Sequence, residues 1–305
     1  MYPLAPGKLD IGSATMRYIP VLFSGKLLVK YYDATVLSYI TNTDYEGEIS
    51  KFGDTVNIRE TADVDISSYA KGQVLNNQQP EANSQQLLID QGKYWSFVTE
   101  DVDDVQTDIK DRVERWTDDA SEKLRISIDT DVLAAIGADS HASNQGATAG
   151  VISGDLAMGV VATPITLSET TIIDKIVDMG VVLDEQNVPE EGRFLLMPSR
   201  ISSLIKKSEL AGANFSGDNT SIMRTGMLGQ IDRFTVFNSN LLAGDNTNGF
   251  QCLFGHRDAT TFATQLVQTK TQDNPDGFGM LHRGLQVFGY KVVKPEALGM
   301  AVLNT

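Results

Sequence analysis

The stretch Asp101–Ile136, DVDDVQTDIKDRVERWTDDASEKLRISIDTDVLAAI, contains neither glycine nor proline. Its apolar residues fall at Val102, Val105, Ile109, Val113, Trp116, Ala120, Leu124, Ile128, Val132 and Ile136. The mean step is about 3.8 residues, close to the period of one helical face. The spacing predicts one helix of roughly 54 Å at about 1.5 Å per residue, far longer than the usual about 11–12 residues. Asp101, Asp103 and Asp104 suit the positive end of its dipole, and Gly137 is a natural stop. Asp108–Arg112, Asp111–Arg115 and Asp119–Lys123 are i,i+4 pairs of opposite sign. If the rod breaks, the expected place is Ser127–Thr130, where weak helix formers cluster. Residues 100–131 hold 12 acidic and 5 basic side chains, net −7, of a total charge of −15. A stripe one face wide implies packing along a sheet or groove, with an acidic back left outside.

On the N-terminal side, residues 1–45 read as an arm that settles into a short helix around 24–37. FGDTVNIRE alternates at Val56 and Ile58, and DVDISSY alternates at Val64 and Ile66, so both predict strands with one wet face. KGQVLNNQQPEANSQQ is almost wholly polar, and LLIDQGKYWSFVTED predicts a strand pair turning at Gln91-Gly92. This β-rich excursion has too few apolar residues for a core of its own, and must lie on something else.

On the C-terminal side, residues 141–159 are rich in glycine and alanine and predict a loop or linker. LSETTIIDKIVDMGVVLDEQ predicts a helix capped by Ser168, with its stripe at Ile172, Ile173, Ile176, Val177 and Val181. GRFLLMPSRISSLIKK predicts a buried strand, Phe194–Met197, then a helix with Pro198 in its first turn. QIDRFTVFNSNLL and FQCLFGH read as strands, and ATTFATQL as a short helix or strand. GMLHRGLQVFGYKVVKPEALGMAVL reads as one long or two short strands. Helix and strand do not alternate strictly, which argues for an α+β fold.

The charge of −15 disfavours nonspecific adhesion to nucleic acid or acidic membranes. Cys252 is the sole cysteine, so no internal disulfide or cysteine metal cage is available. The start lacks a secretory pattern and no window reaches about 18 apolar residues, which leads us to expect a soluble protein in a reducing compartment. Catalytic motifs are poor. Ser203 and Lys206 match S-x-x-K without its companion motifs. His141, His256 and His282 lack metal-ligand spacing. Asn42–Gly47 resembles the start of a calcium loop, but its twelfth position is Gly53. Asn214 and Asn219 lie in glycosylation sequons without a signal peptide. Trp95 and Trp116 could stack on a base, yet fit apolar packing patterns better. We therefore expect no catalytic residue, no cofactor and no metal.

A thinly apolar β excursion running into an extended helix makes sense when neighbouring subunits supply the missing surface. GDTVNIRE with LLIDQGKYWSFVTEDVDDVQ, the helix ending in SIDTDVLAAIG, PEEGRFLLMPSRISSLIKK, GMLGQIDRFTVFNSNLLAG, LFGHRDATTFATQ and GLQVFGYKVVKPEAL resemble, in this order, the major capsid (coat) proteins of tailed double-stranded DNA bacteriophages. The resemblance implies an HK97-like α+β fold: an N-terminal arm at 1–45, an extended loop at 46–100 and the spine helix with peripheral domain at 101–165. An axial domain at 166–275 and return strands of the peripheral domain at 276–305 complete it. It further implies self-assembly as hexamers and pentamers into an icosahedral virion shell around packaged DNA, built in the bacterial host cytoplasm and without a membrane. Implied partners are a portal protein and, because the arm is short, a separate scaffolding protein; a decoration protein stays open. Lys51 and Lys71 lie near the loop without a matching constellation, so no covalent cross-link is expected. Two other readings remain: an encapsulin-type nanocompartment shell, and an α+β hydrolase using Ser203 with His256.

Overall fold

Helix α2 (Arg112–Ile136) runs 25 residues without a break. The computed structural model describes residues 35–44, 55–59, 64–75, 77–79, 84–102, 112–208 and 229–305. The expected arm and most of its helix lie outside these residues; helix α1 is the single turn Leu37–Ile40. Asp101 and Val102 are helical, and 103–111 lie outside the described residues.

The feared break at Ser127–Thr130 does not occur, because each polar side chain there has a partner. Thr130 Oγ1 donates to Ile126 O at 2.8 Å within the helix, and Lys93 Nζ donates to Ser127 Oγ at 2.6 Å. Asp129 Oδ2 accepts the N–H groups of Val36 and Leu37 at 2.8 and 3.2 Å. Tertiary contacts outweigh the weak propensities. The apolar stripe is graded. Ile128, Val132, Leu133 and Ile136 are buried in the main core, whereas Trp116 stays exposed.

That difference follows from what lies beneath the helix. Its middle rests against β3 (Gln91–Glu100), an edge strand of a sheet with β10 (Thr260–Asp273) and β11 (Gly279–Val292), in the order β10-β11-β3 and antiparallel throughout. Gln91 and Gly92 therefore lie inside a strand and form no turn. β2 (Ser84–Leu88) pairs with β1 (Thr55–Arg59), not with β3. The two sides part at Ile89–Asp90 because Leu87 and Ile89 bury with Ile58 and Ala263, while β3 bonds to β11. Gly289 permits the crossing: a Cβ there would stand 2.2 Å from Leu88 O. Val64 and Ile66 form no strand, since residues 64–70 have no ladder partner among the described residues and are exposed.

The main core surrounds a seven-stranded sheet ordered β4-β12-β9-β5-β7-β6, with β8 added to β9. These strands are β4 (Ile165–Thr166), β5 (Arg193–Met197), β6 (Gln230–Ile231), β7 (Phe234–Asn238), β8 (Gly244–Asp245), β9 (Gly249–His256) and β12 (Leu298–Asn304). All five residues of β5 are buried between parallel β7 and antiparallel β9. Helix α3 (Ile172–Glu185) turns Ile172, Ile176, Met179, Val182 and Leu183 into this core. Val177 and Val181 of the expected stripe face out, and the cap is Thr171; Ser168 instead supplies the carbonyl that receives Thr171 N and Ile172 N. Pro198 caps α4 (Ser199–Lys207). QIDRFTVFN is a hairpin, not one strand, since Asp232 and Arg233 turn with φ of 43° and 66°. Residues 141–159 are no linker, because Ala149 and Met158 are wholly buried in the core. ATTFATQL opens the strand β10, and the C-terminal run divides into β11 and β12.

Candidate functional site

Residues 64–75 are exposed at every position. Val64, Ile66, Tyr69, Val74 and Leu75 all stand in solvent, with Ile66 at 99% and Val74 at 91%. The strap still has local order. Gln78 Oε1 accepts Asp65 N at 3.0 Å, and its Nε2 donates to Asp65 O at 3.1 Å. One side-chain amide thus replaces the ladder partner that alternation at Val64 and Ile66 led us to expect. Gln73 Oε1 closes the tip by accepting Ala70 N at 3.0 Å. Among the described residues nothing covers this apolar surface, and exposed patches of this kind mark interaction sites.

The second feature is the seam between helix α2 and the long sheet. Trp95 stacks on Phe97 at 5.4 Å between centroids, Phe97 meets the edge of Trp116 at 5.9 Å, and His282 stacks on Phe97 at 5.1 Å. Trp95 and Trp116 thus serve packing. Arg112 lies 5.5 Å above the Trp116 ring. Lys93 pins sheet to helix through Asp131 and Ser127. Beside the seam, Asp119–Lys123 forms the expected pair at 2.9 Å; the other two pairs include residues outside the described set.

The third feature stiffens the body that carries these surfaces. The Arg193 side chain is fully buried and donates to Asp184, Val188 O and Pro189 O at 2.6–2.8 Å. Arg233 reaches the other Asp184 oxygen at 3.0 Å and Glu190 at 2.9 Å. Partial burial pushes the Asp184 carboxyl up, but hydrogen bonds from Arg193 and Arg233 outweigh it and hold the group below its ordinary range. Glu185 is likewise held low, its slight burial outweighed by N–H groups of the 151–153 turn. Asp129 moves the other way. Burial raises it, and the N–H groups of Val36 and Leu37 offset only part of that rise.

None of these arrangements resembles a reaction centre. Ser203 Oγ donates to Arg200 O at 2.7 Å inside its own helix, and His256 Nδ1 accepts Asp258 N at 3.2 Å. His141 accepts Ser143 N, and Asn42 with Asp44 forms a small turn. Among the described residues no group of three metal-binding side chains converges, and no helix is long and apolar enough to cross a membrane. Lys71 stands exposed on the strap; Lys51, Asn214 and Asn219 lie outside the described residues. Reading the sequence missed Gln78, Asp129 and the Arg193–Asp184 pair. Only Arg193 left a signal, as an arginine opening an otherwise apolar run.

The chain matches the family of phage capsid proteins over residues 85–302. A structure from Mycobacterium phage Che8 is 26% identical, with a TM-score of 0.77 over 93% of this chain and 97% of that one. The capsid of the cyanophage P-SCSP1u is 15% identical, with a TM-score of 0.69 over 94% of each chain. The mature capsid of bacteriophage PhiM1 is also 15% identical, with a TM-score of 0.66 over 93% and 92%. No curated protein matches by sequence. The fold these chains share is the HK97-like α+β fold.

Proposed function

Because this chain belongs to the phage capsid protein family, its role is structural, and we propose that its copies meet as hexamers and pentamers to close an icosahedral wall around packaged double-stranded DNA. The exposed strap at 64–75 carries this reading. Five large apolar side chains with no core among the described residues are covered when the strap lies across an adjacent subunit. In the domain division that goes with it, 1–45 is the arm, 46–100 the extended loop and 101–165 the spine with part of the peripheral domain. Residues 166–275 form the axial domain, and 276–305 return to the peripheral one. The charge of −15 supports a wall that does not bind its cargo by sequence.

We further propose assembly in the host cytoplasm, with a portal protein at one vertex and a separate scaffolding protein; a decoration protein would act from outside. Subunits cohere without covalent cross-links, so boiled particles run as a single 33.2 kDa band. The family match favours a phage shell over a nanocompartment or a hydrolase. Expression followed by gel filtration and electron microscopy tests the proposal. Shells, sheets or tubes are expected; a clean monomer, alone and with scaffold, overturns it.

A further inference from the structure

The hairpin of β10 and β11 ends in Asp-Asn-Pro-Asp-Gly-Phe-Gly, residues 273–279, with Phe278 89% exposed. Asn274 shapes the turn: its Oδ1 accepts Asp276 N at 3.2 Å, and its own N–H donates to Gly279 O at 2.9 Å. Asp273 and Asp276 are exposed and have no ion pair among the described residues. The tip therefore presents one aromatic ring and two bare carboxylates.

The flank of the same hairpin presents the opposite. Lys270 stands directly across from Arg283. Like charges so placed repel, and neither has an ion pair among the described residues. Arg283 is next to Ser96 in the register, and Tyr94 pairs with Leu285, on the same face. Tyr94, Leu285 and the two cations border an open cleft of about 540 Å³. In a chain of net charge −15, two adjacent unpaired cations beside an apolar cleft mark a seat for a group that is both acidic and aromatic.

We propose that the hairpin tip of a second copy of this chain occupies that seat, with its Phe278 between Tyr94 and Leu285 and its Asp273 and Asp276 against Lys270 and Arg283. Two carboxylates meet two cations, and one exposed ring meets one apolar cleft. The tip cannot fill its own flank, because Phe278 and Leu285 are separated by seven residues along the hairpin, roughly 23 Å at about 3.3 Å per residue. A nucleic acid is a poorer occupant: its phosphates gain nothing from Tyr94 and Leu285, and the tip acids beside the site repel them. The contact is heterologous, since tip and flank are different surfaces. Each copy gives its tip to one neighbour and receives another's, so a suitable rotation closes a ring. The inference rests on the self-assembly reading above. The ring supplies the desolvated anchor, and the charge pairs at the rim set the register.

The test is a charge exchange on the full chain, with particle yield measured by sedimentation and electron microscopy and folding checked by circular dichroism and melting. K270E/R283E and D273K/D276K should each fold normally and lower the yield at least tenfold against wild type. The variant with all four changes should return to within about threefold, because the pairs are restored with their signs exchanged. As a second readout, Phe278→Cys with Leu285→Cys should give disulfide-linked ladders in oxidised particles, against a native cysteine, Cys252, that is buried. Wild-type shells with undiminished yield in both double variants overturn the tip-in-flank contact and leave the shell reading intact. A fourfold variant as defective as its parents also overturns it.

Discussion

The indole of Trp95 lies across the bare backbone of Gly284, its directly opposed neighbour on β11. A Cβ at Gly284 would stand 2.2 Å from the indole Nε1 and 2.3 Å from Cε2. The missing side chain gives the indole room to lie over the strand and stack on Phe97, which in turn meets Trp116 of helix α2. Covering a strand glycine with an aromatic ring is a known way to stabilise a sheet position that would otherwise be weak.

Gly284→Ala should push the indole aside and cost about 1–3 kcal/mol, read as a lower urea midpoint followed by tryptophan fluorescence. In a Trp95→Ala background the same change should cost less than about 0.5 kcal/mol, because nothing remains to be displaced. Equal losses in both backgrounds would refute the contact.

Asp129 should behave as a buried clamp on the chain at Val36 and Leu37. Asp129→Ala leaves two N–H groups without their acceptor and should cost about 1–3 kcal/mol. Asp129→Asn keeps an acceptor without the charge. Since burial raises this carboxyl, the folded state holds the proton more tightly than the unfolded state. The contribution of Asp129 to stability therefore falls as pH rises from the ordinary carboxylate range through its folded pKa. The Asn variant should melt progressively higher, relative to wild type, across that window; a constant offset would sink the argument.

Asp184 has the opposite sign. Desolvation pushes it up, but the hydrogen bonds and charges of Arg193 and Arg233 together outweigh that and hold it low. Its stabilising contribution is complete above the unfolded carboxylate pKa and is lost as pH falls through the folded one. Arg233→Ala should flatten that acid limb of the stability curve. Arg193→Ala removes a fully buried guanidinium and leaves Val188 O and Pro189 O without their donor, so a loss of about 1–3 kcal/mol is expected in equilibrium unfolding.

Cys252 is buried and its thiol is pushed up by desolvation. A maleimide should label it only when the whole core opens, so labelling should track the global unfolding rate. Fast labelling of the folded protein would show a looser core around β9.

Ile66→Asp changes a side chain that is 99% exposed. The monomer's stability should move by less than about 0.5 kcal/mol, while the concentration needed for assembly rises sharply. Gln78→Ala should do the same in weaker form, by freeing Asp65 from the amide that orders the strap. A large drop in monomer melting temperature would place the strap inside the fold.

Local periodicity carried the parts of this fold that depend on neighbours along the chain. The stripe from Val113 to Ile136 is a helix, Phe194–Met197 is a buried strand, and the helix after Pro198 begins where the proline puts it. The order of its motifs was enough to suggest the family. Tertiary structure alone decided which edges pair, because a ladder partner is chosen by free edges far away in sequence. Gly92 pairs with Val287 in β11 instead of turning the chain. Val56 with Ile58 and Val64 with Ile66 alternate alike, yet among the described residues only the first pair finds a strand partner, and Ile58 a small core, while the second stays exposed. Asp129 reads as one acid among many on a charged helix. Its role depends on the N–H groups of Val36 and Leu37, more than ninety positions away, and no local rule can place them there.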